Sequence, residues 1–198
     1  MKHSLTSHLD HSREAGFTLI ELMVTVAVLA IILAIAVPGF QAFIASGRVT
    51  TTTNDMVGAL TLARSEAIRR GTRVTLCKSS DGASCTDAGG WEQGWIAFVD
   101  PTRGADAAVD AGETIVARFE SAPGTMAIAG DGGVVNFVSF AADGTSRTMA
   151  GAAQAGRIRV CTVAGALGND RRARDINIAT TGRLSTTTPA NVGADCPL

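Results

Sequence analysis

Three histidines, His3, His8 and His11, are the chain's whole stock of imidazole, and all lie in its first eleven residues. General acid–base work on imidazole would depend on that N-terminal stretch alone. The four cysteines, Cys77, Cys85, Cys161 and Cys196, form no Cys-x-x-Cys pair, the spacing that zinc or dithiol chemistry usually uses. The acids Asp100, Asp106, Asp110 and Glu113 are close in sequence and invite a calcium reading. Their spacing does not fit the EF-hand pattern, and Pro101 and Arg103 interrupt them, so a solvated turn is expected. No phosphate-binding loop, dinucleotide-binding glycine pattern or nucleophile elbow is present. An enzyme is not expected, and neither a metal nor a cofactor.

Arginine carries nearly all the positive charge, since Lys2 and Lys78 are the only lysines among 17 basic residues. From Arg147 onward seven arginines face three aspartates, although the whole chain has a net charge of −1. Such a local excess suits phosphate backbones, to which Arg is geometrically matched. Arg171, Arg172, Arg174 and Arg183 are the candidate DNA contacts.

One more charge stands out by its surroundings. Leu22–Val37 reads LMVTVAVLAIILAIAV, without a charge, and with its flanks it approaches the length that crosses a bilayer. Glu21 sits at the head of that run. A charged side chain among lipid costs roughly 2.5–3.5 kcal/mol on insertion scales, so it normally has a partner and a role. The residues leave three readings open. The run is an uncleaved anchor, a secretory signal cut after Ala34-Ile35-Ala36, or a retained helix behind a polar leader that ends at Gly16. Against the second, the leader is long and Glu21 abuts the apolar core.

Gly16-Phe17-Thr18-Leu19-Ile20-Glu21-Leu22, with the apolar run behind it, resembles the type IV pilin and pseudopilin family. The resemblance implies cleavage between Gly16 and Phe17 by prepilin peptidase, N-methylation of Phe17 and retention of the helix. It further implies that Glu21 meets the α-amino group of a neighbouring subunit, which offsets the burial of both charges. Two later stretches resemble the GspH/FimT branch of that family. They are Ala63-Arg64-Ser65-Glu66-Ala67-Ile68-Arg69-Arg70-Gly71, and Gly94-Trp95-Ile96-Ala97-Phe98-Val99-Asp100 followed by Asp110-Ala111-Gly112-Glu113. The branch includes minor pilins of type IV pili and the H pseudopilin of type II secretion.

These elements must be positioned by a fold. Val49, Met56, Leu60, Ala63 and Ala67 make one helical stripe, and Gly71 after two arginines is a stop signal. Gly47 and the four threonines Thr50–Thr53 weaken the helix between Ser46 and Thr53. Beyond Gly71 the chain reads as short strands, at 73–79, 94–99, 114–120, 125–129, 134–140, 157–163 and 173–180, with Gly-rich turns. Core or strand-edge packing is expected for at least one of Trp91 and Trp95. The fold class is α+β, a pilin-like fold with a long N-terminal helix, apolar in its first half, against antiparallel sheet. The expected divisions are a leader over 1–16, a transmembrane and filament-core helix over 17–40, and a periplasmic head over 41–198. The head comprises an amphipathic helix over 41–70 and a β-rich part over 72–198.

In an exported head the cysteines should oxidise. Four cysteines allow three connectivities. The short polar stretch between Cys77 and Cys85 favours a local bridge, with Cys161 then joined to Cys196.

The function implied is a minor pilin or pseudopilin of the bacterial inner membrane, a single-pass subunit that helps initiate a type IV pilus or type II secretion pseudopilus. Its partners would be other major and minor pilins or pseudopilins, prepilin peptidase and the inner-membrane assembly platform. The alternative is a pilus-associated DNA receptor for natural transformation. FimT members with that role carry a C-terminal Gly-Arg-x-Arg motif. Here the matching place is Gly182-Arg183-Leu184-Ser185, with Ser185 instead of the second Arg. Gly156-Arg157-Ile158-Arg159 fits the letters but falls on an expected strand.

Overall fold

The computed structural model describes residues 16–198 apart from 103, 105 and 197. The expected leader, except Gly16, lies outside the described residues together with the three histidines, and so does Arg103. The chain divides into two compact units, Met1–Phe40 and Gln41–Leu198. One helix, α1 (Leu19–Arg70), contributes to both.

In the first unit the helix starts on a cap. The N–H of Glu21 donates to Thr18 Oγ1 at 3.3 Å, and the N–H of Leu22 donates to the Thr18 carbonyl. Thr18 is thus the N-cap and Glu21 the third helical residue, the Thr-x-x-Glu spacing of a capping box. Every residue from Gly16 to Phe40 is exposed. Pro38 lies inside the helix without ending it, at the cost of one main-chain donor.

In the second unit the same helix turns amphipathic. Val49, Met56, Leu60, Ala63 and Ala67 are all buried, while Asn54, Thr61, Ser65 and Arg69 are exposed. The threonine run holds its helical form because its hydroxyls bond backwards. Thr50 Oγ1 donates to the Ser46 carbonyl at 3.0 Å and Thr53 Oγ1 to the Val49 carbonyl at 2.6 Å. Gly71, at φ +65°, ends the helix, with its N–H on the Ile68 carbonyl and that of Thr72 on the Ala67 carbonyl. This pair of bonds is a Schellman closure, which needs a left-handed residue at the position of Gly71.

Eight strands follow: β1 (Val74–Lys78), β2 (Trp95–Val99), β3 (Ile115–Phe119), β4 (Met126–Gly130), β5 (Phe137–Phe140), β6 (Gly156–Thr162), β7 (Ala173–Ile178) and β8 (Leu184–Thr187). They make two antiparallel four-stranded sheets, in the orders β3-β2-β1-β5 and β4-β6-β7-β8. Seven correspond to the expected strands. The eighth, Leu-Ser-Thr-Thr, is half-buried at best and has too little apolar content to show an alternation. The strand expected from 134 starts only at Phe137, because Gly132–Val134 form a 3-10 turn that buries Val134.

One core joins the helix to both sheets. Val74, Leu76, Trp95, Val138 and Phe140 come from the first sheet, and Ile128, Ile158, Val160, Ile176 and Ile178 from the second. The outer face of the first sheet is covered too. Cys77, Ile96 and Phe98 pack there under Ala107 and Val109, which explains why β2 is an unbroken apolar run. On the second sheet Cys161 and Ala173 pack with Val192 and Cys196 from the C-terminal tail. Cys77 is joined to Cys85, and Cys161 to Cys196. Replacing Cys85 by Ser should cost about 2.5 kcal/mol, the loop-closure entropy of the short ring. Denaturant unfolding under non-reducing conditions, compared with the parent chain, measures it; an unchanged midpoint would show the bridge to be idle.

Arg64 holds the two sheets' turns together. Its Nε donates to the Gly144 carbonyl at 2.9 Å and its Nη2 to the Thr181 carbonyl at 3.3 Å. A Cβ at Gly182, at φ +74°, would run into the Gly144 carbonyl, so only glycine fits beside that clamp.

Candidate assembly helix and arginine surface

The strongest feature of the first unit is what its helix leaves bare. Phe17, Leu19, Ile20, Leu22, Met23, Val24, Leu29, Ile31 and Ile35 are each more than half exposed. A contiguous apolar surface of this extent is not left to water; lipid or other helices must cover it. Glu21 is exposed at the start of this surface. Its place in the first helical turn puts a negative charge at the positive end of the helix dipole. Phe17 and Gly16 precede the cap, outside the helix and exposed.

The arginines prove less available than a charge count suggests. Arg159 Nε and Nη2 make a two-pronged contact with the Asp175 carboxylate at 2.7 and 2.8 Å, and both residues are buried. Arg157 bonds Asp131 at 2.8 Å and reaches Asp175 at 3.5 Å. The Asp175 carboxylate is the main reason that the Arg159 guanidinium is held above its ordinary pKa, against the effect of burial. Arg69 and Arg70 both close on Glu66, and chiefly through those hydrogen bonds the Glu66 carboxyl is pushed down to about 2.

Of the four candidate DNA contacts, Arg171 and Arg183 are exposed and Arg174 is half-buried. Arg174 Nη1 donates to the Ala173 carbonyl at 2.7 Å. Arg172 requires a correction. It is buried, and its guanidinium donates to the Leu167 carbonyl at 2.8 Å, so it supports the loop before β7 and presents no surface to a phosphate.

The acidic stretch also departs from the solvated turn expected for it. Asp106 and Asp110 are exposed, but Asp100 is fully buried at the end of β2. It accepts hydrogen bonds from Thr75 Oγ1 at 2.7 Å and Thr102 Oγ1 at 3.4 Å. Burial raises its pKa above the ordinary 3.8, and nearby Glu113 adds to this. The Thr75 and Thr102 hydroxyls and Arg73 oppose the rise. A raised carboxyl pKa means that the fold prefers the protonated form. Its stabilising contribution is complete below the unfolded value and is lost as pH rises through the folded one. Replacing Asp100 by Asn should therefore become relatively more favourable between pH 4 and pH 7. Denaturant unfolding of both chains at the two pH values checks it, and a constant difference would contradict it.

Lys78 is a further buried charge. Its Nζ donates to the Asp87 and Gly89 carbonyls at 3.0 and 2.9 Å, and burial lowers its pKa, opposed by Asp87 and Glu92. Lysine in an apolar-flanked strand gave no sign of this in the sequence. Of the two tryptophans, both buried, Trp91 donates its indole N–H to the Val135 carbonyl at 3.0 Å, whereas that of Trp95 has no acceptor among the described residues.

Two family models match the chain. Residues 52–182, about two thirds of its length, match "Type II transport protein GspH". The chain belongs to the GspH family. Residues 11–37 match the prokaryotic N-terminal methylation motif, which spans Gly16, Phe17 and Glu21. Two fimbrial proteins of Pseudomonas aeruginosa are each 43% identical over 61 residues, 31% of this chain and 39% of theirs. The chain therefore spans about two fifths of the length of the curated relatives it matches. The crystal structure of the type IV minor pilin FimU of Pseudomonas aeruginosa, in space group P21, superposes with a TM-score of 0.53 at 16% identity. It covers 73% of this chain and 95% of that one. That likeness establishes the pilin fold. This chain is thus a GspH-family protein with the pilin fold, and its methylation motif and single apolar N-terminal helix fit a membrane-anchored pilin.

Proposed function

We propose that this GspH-family protein is a filament subunit that helps to start assembly of a type IV pilus or a related secretion pseudopilus. The exposed apolar helix directly behind Gly16-Phe17 carries this reading. Prepilin peptidase removes residues 1–16, and the new terminus at Phe17 is N-methylated. Residues 17–40 cross the inner membrane and then exchange lipid for neighbouring helices in the filament core. The head, residues 41–198, stays in the periplasm and contacts other major and minor subunits. The assembly platform of the inner membrane moves the subunit from one setting to the other. The chain works by packing, without catalysis or a cofactor.

Glu21 makes the exchange selective. In the filament core its carboxylate pairs with the amino group of a neighbour's Phe17, and each charge offsets the other's desolvation. The capped helix start holds Glu21 one short turn from the terminus that must meet a neighbour. The fimbrial relatives support a pilus over a secretion pseudopilus. Deleting the gene in its host should remove most surface filaments while secretion of folded exoproteins continues. Unchanged filament numbers together with unchanged secretion would contradict the proposal. A DNA-receptor role would rest on Arg171 and Arg183 with help from Arg174, and nothing else in the head favours it.

A further inference from the structure

We infer that the outer edge of β3, with the cleft beside Trp95, is a binding site for an extended peptide segment that carries a cationic side chain. Three independent observations meet at this place. The first is the indole N–H of Trp95, buried in a residue only 2% exposed and without an acceptor among the described residues. A buried donor left unmade costs free energy, so a carbonyl that reached it would be held firmly. Trp95 is a wall of a cleft of about 280 Å³, bounded by Thr52 and Asp55 on α1, the stacked ring of Phe119, and the turn through Pro123.

The second observation is the strand edge. β3 ends its sheet, and among the described residues no backbone hydrogen bond reaches its outer side. Two other sheet ends are occupied. On β5 the Ser139 carbonyl accepts from the Arg147 N–H and the Ser139 N–H donates to Gln154 Oε1. On β4 the Ile128 N–H donates to Glu92 Oε2. β8 also ends a sheet, but no buried donor without an acceptor lies on it. An open edge accepts a further strand through main-chain bonds, with pockets reading alternate side chains. A second cleft, of about 230 Å³, shares the segment 118–121 as a wall and is otherwise lined by Ser79–Gly82 and Gln93. Successive side chains of an extended segment point to opposite faces, so one segment could place neighbours in both clefts.

The third observation is charge. Asp55 and Glu120 line the Trp95 cleft, both exposed and neither in an ion pair among the described residues. Arg118, the cation of this rim, donates its Nε to the Gly82 carbonyl at 2.7 Å. The net field at the cleft mouth is therefore acidic and selects a Lys or Arg side chain. The incoming segment gives a carbonyl to Trp95, pairs its main chain with β3 and sets its cation between Asp55 and Glu120. The inference stands apart from filament assembly, since the site lies wholly in the second unit and the test below reads it in isolated protein.

The test uses the full chain in detergent, labelled with nitrogen-15, and two blocked nine-residue peptides of alternating threonine and valine. One carries arginine at its centre and the other glutamate. The arginine peptide should shift the Trp95 indole signal and slow amide exchange across Ile115–Phe119. The Trp91 indole, already bonded to Val135, serves as an unmoved reference. The glutamate peptide should bind at least tenfold more weakly. Trp95→Phe, which keeps the ring and removes the donor, should weaken the arginine peptide about fivefold. Asp55→Asn with Glu120→Gln should erase the preference between peptides and covers the case in which the tryptophan variant fails to fold. No shift at millimolar peptide, equal binding of both peptides, or a Trp95 proton that contacts bound water only and is unchanged by peptide would each overturn the site.

Discussion

Replacing Glu21 by Ala should leave leader removal intact and cut recovery of the protein in sheared filaments at least tenfold. The change removes nothing that holds the head together, because Glu21 is exposed and lies in the first unit. The Thr18 half of the cap stays, since Thr18 Oγ1 accepts from the main-chain N–H of residue 21, which alanine keeps. What it removes is the carboxylate proposed to offset a neighbour's buried amine. An unpaired charge in a low-dielectric core is opposed by several kcal/mol, and 1.4 kcal/mol already corresponds to a factor of ten. Alanine also makes the helix more apolar, so membrane retention should not fall. Glu21→Gln separates charge from shape and should resemble the alanine variant. Immunoblots of the sheared and membrane fractions read both quantities at once. Normal recovery of either variant in filaments would remove the proposed role of Glu21.

The second large effect belongs to the head. Asp175→Ala should destabilise it by about 3–5 kcal/mol, the range for breaking one side of a buried ion pair. Asp175 lies directly across from Arg159 in the β6–β7 register and also receives Arg157, which in turn holds Asp131. Removing the one carboxylate deprives a buried guanidinium of its two-pronged partner across the β6–β7 pair. Asp175→Asn should cost less, since its carbonyl keeps one acceptor. Double replacement, Arg159→Met with Asp175→Leu, should recover most of the loss, because a well-packed apolar pair is often as stable as the ionic one. Chemical denaturation of the full chain in detergent ranks the variants. A loss below about 1 kcal/mol for Asp175→Ala would show that the pair is no better than a surface bridge.

Residue patterns make some of this molecule readable and hide the rest for physical reasons. The stripe through Val49, Met56, Leu60, Ala63 and Ala67 announces its burial, because helical periodicity is local and every member is apolar. Seven strands announce themselves in the same way. β8 does not, since its hydrogen-bonded place beside β7 rests on main-chain groups and its side chains are mostly hydroxyls. The division of the strands into two sheets is likewise invisible, being fixed by non-local pairing. Charged residues mislead most. Arg159, Arg172 and Asp100 read as surface residues, and each is buried against a partner that no local pattern announces. A count of arginines therefore overstates the positive surface near the C-terminus. Core or strand-edge packing is legible for at least one of Trp91 and Trp95, but whether an indole N–H finds an acceptor depends on three dimensions. In the N-terminal region the reverse holds: Glu21 stands out because it interrupts an apolar run. Thr18-x-x-Glu21 is a cap signal nested inside the Gly16–Leu22 motif.

The N-terminus of the mature protein tests the central claim most directly. Intact-mass and terminal-peptide mass spectrometry of the chain from its host membranes should find a protein that begins at Phe17, with one methyl group on its amine. A chain that begins at Val37, or one that keeps residues 1–16, would contradict the account.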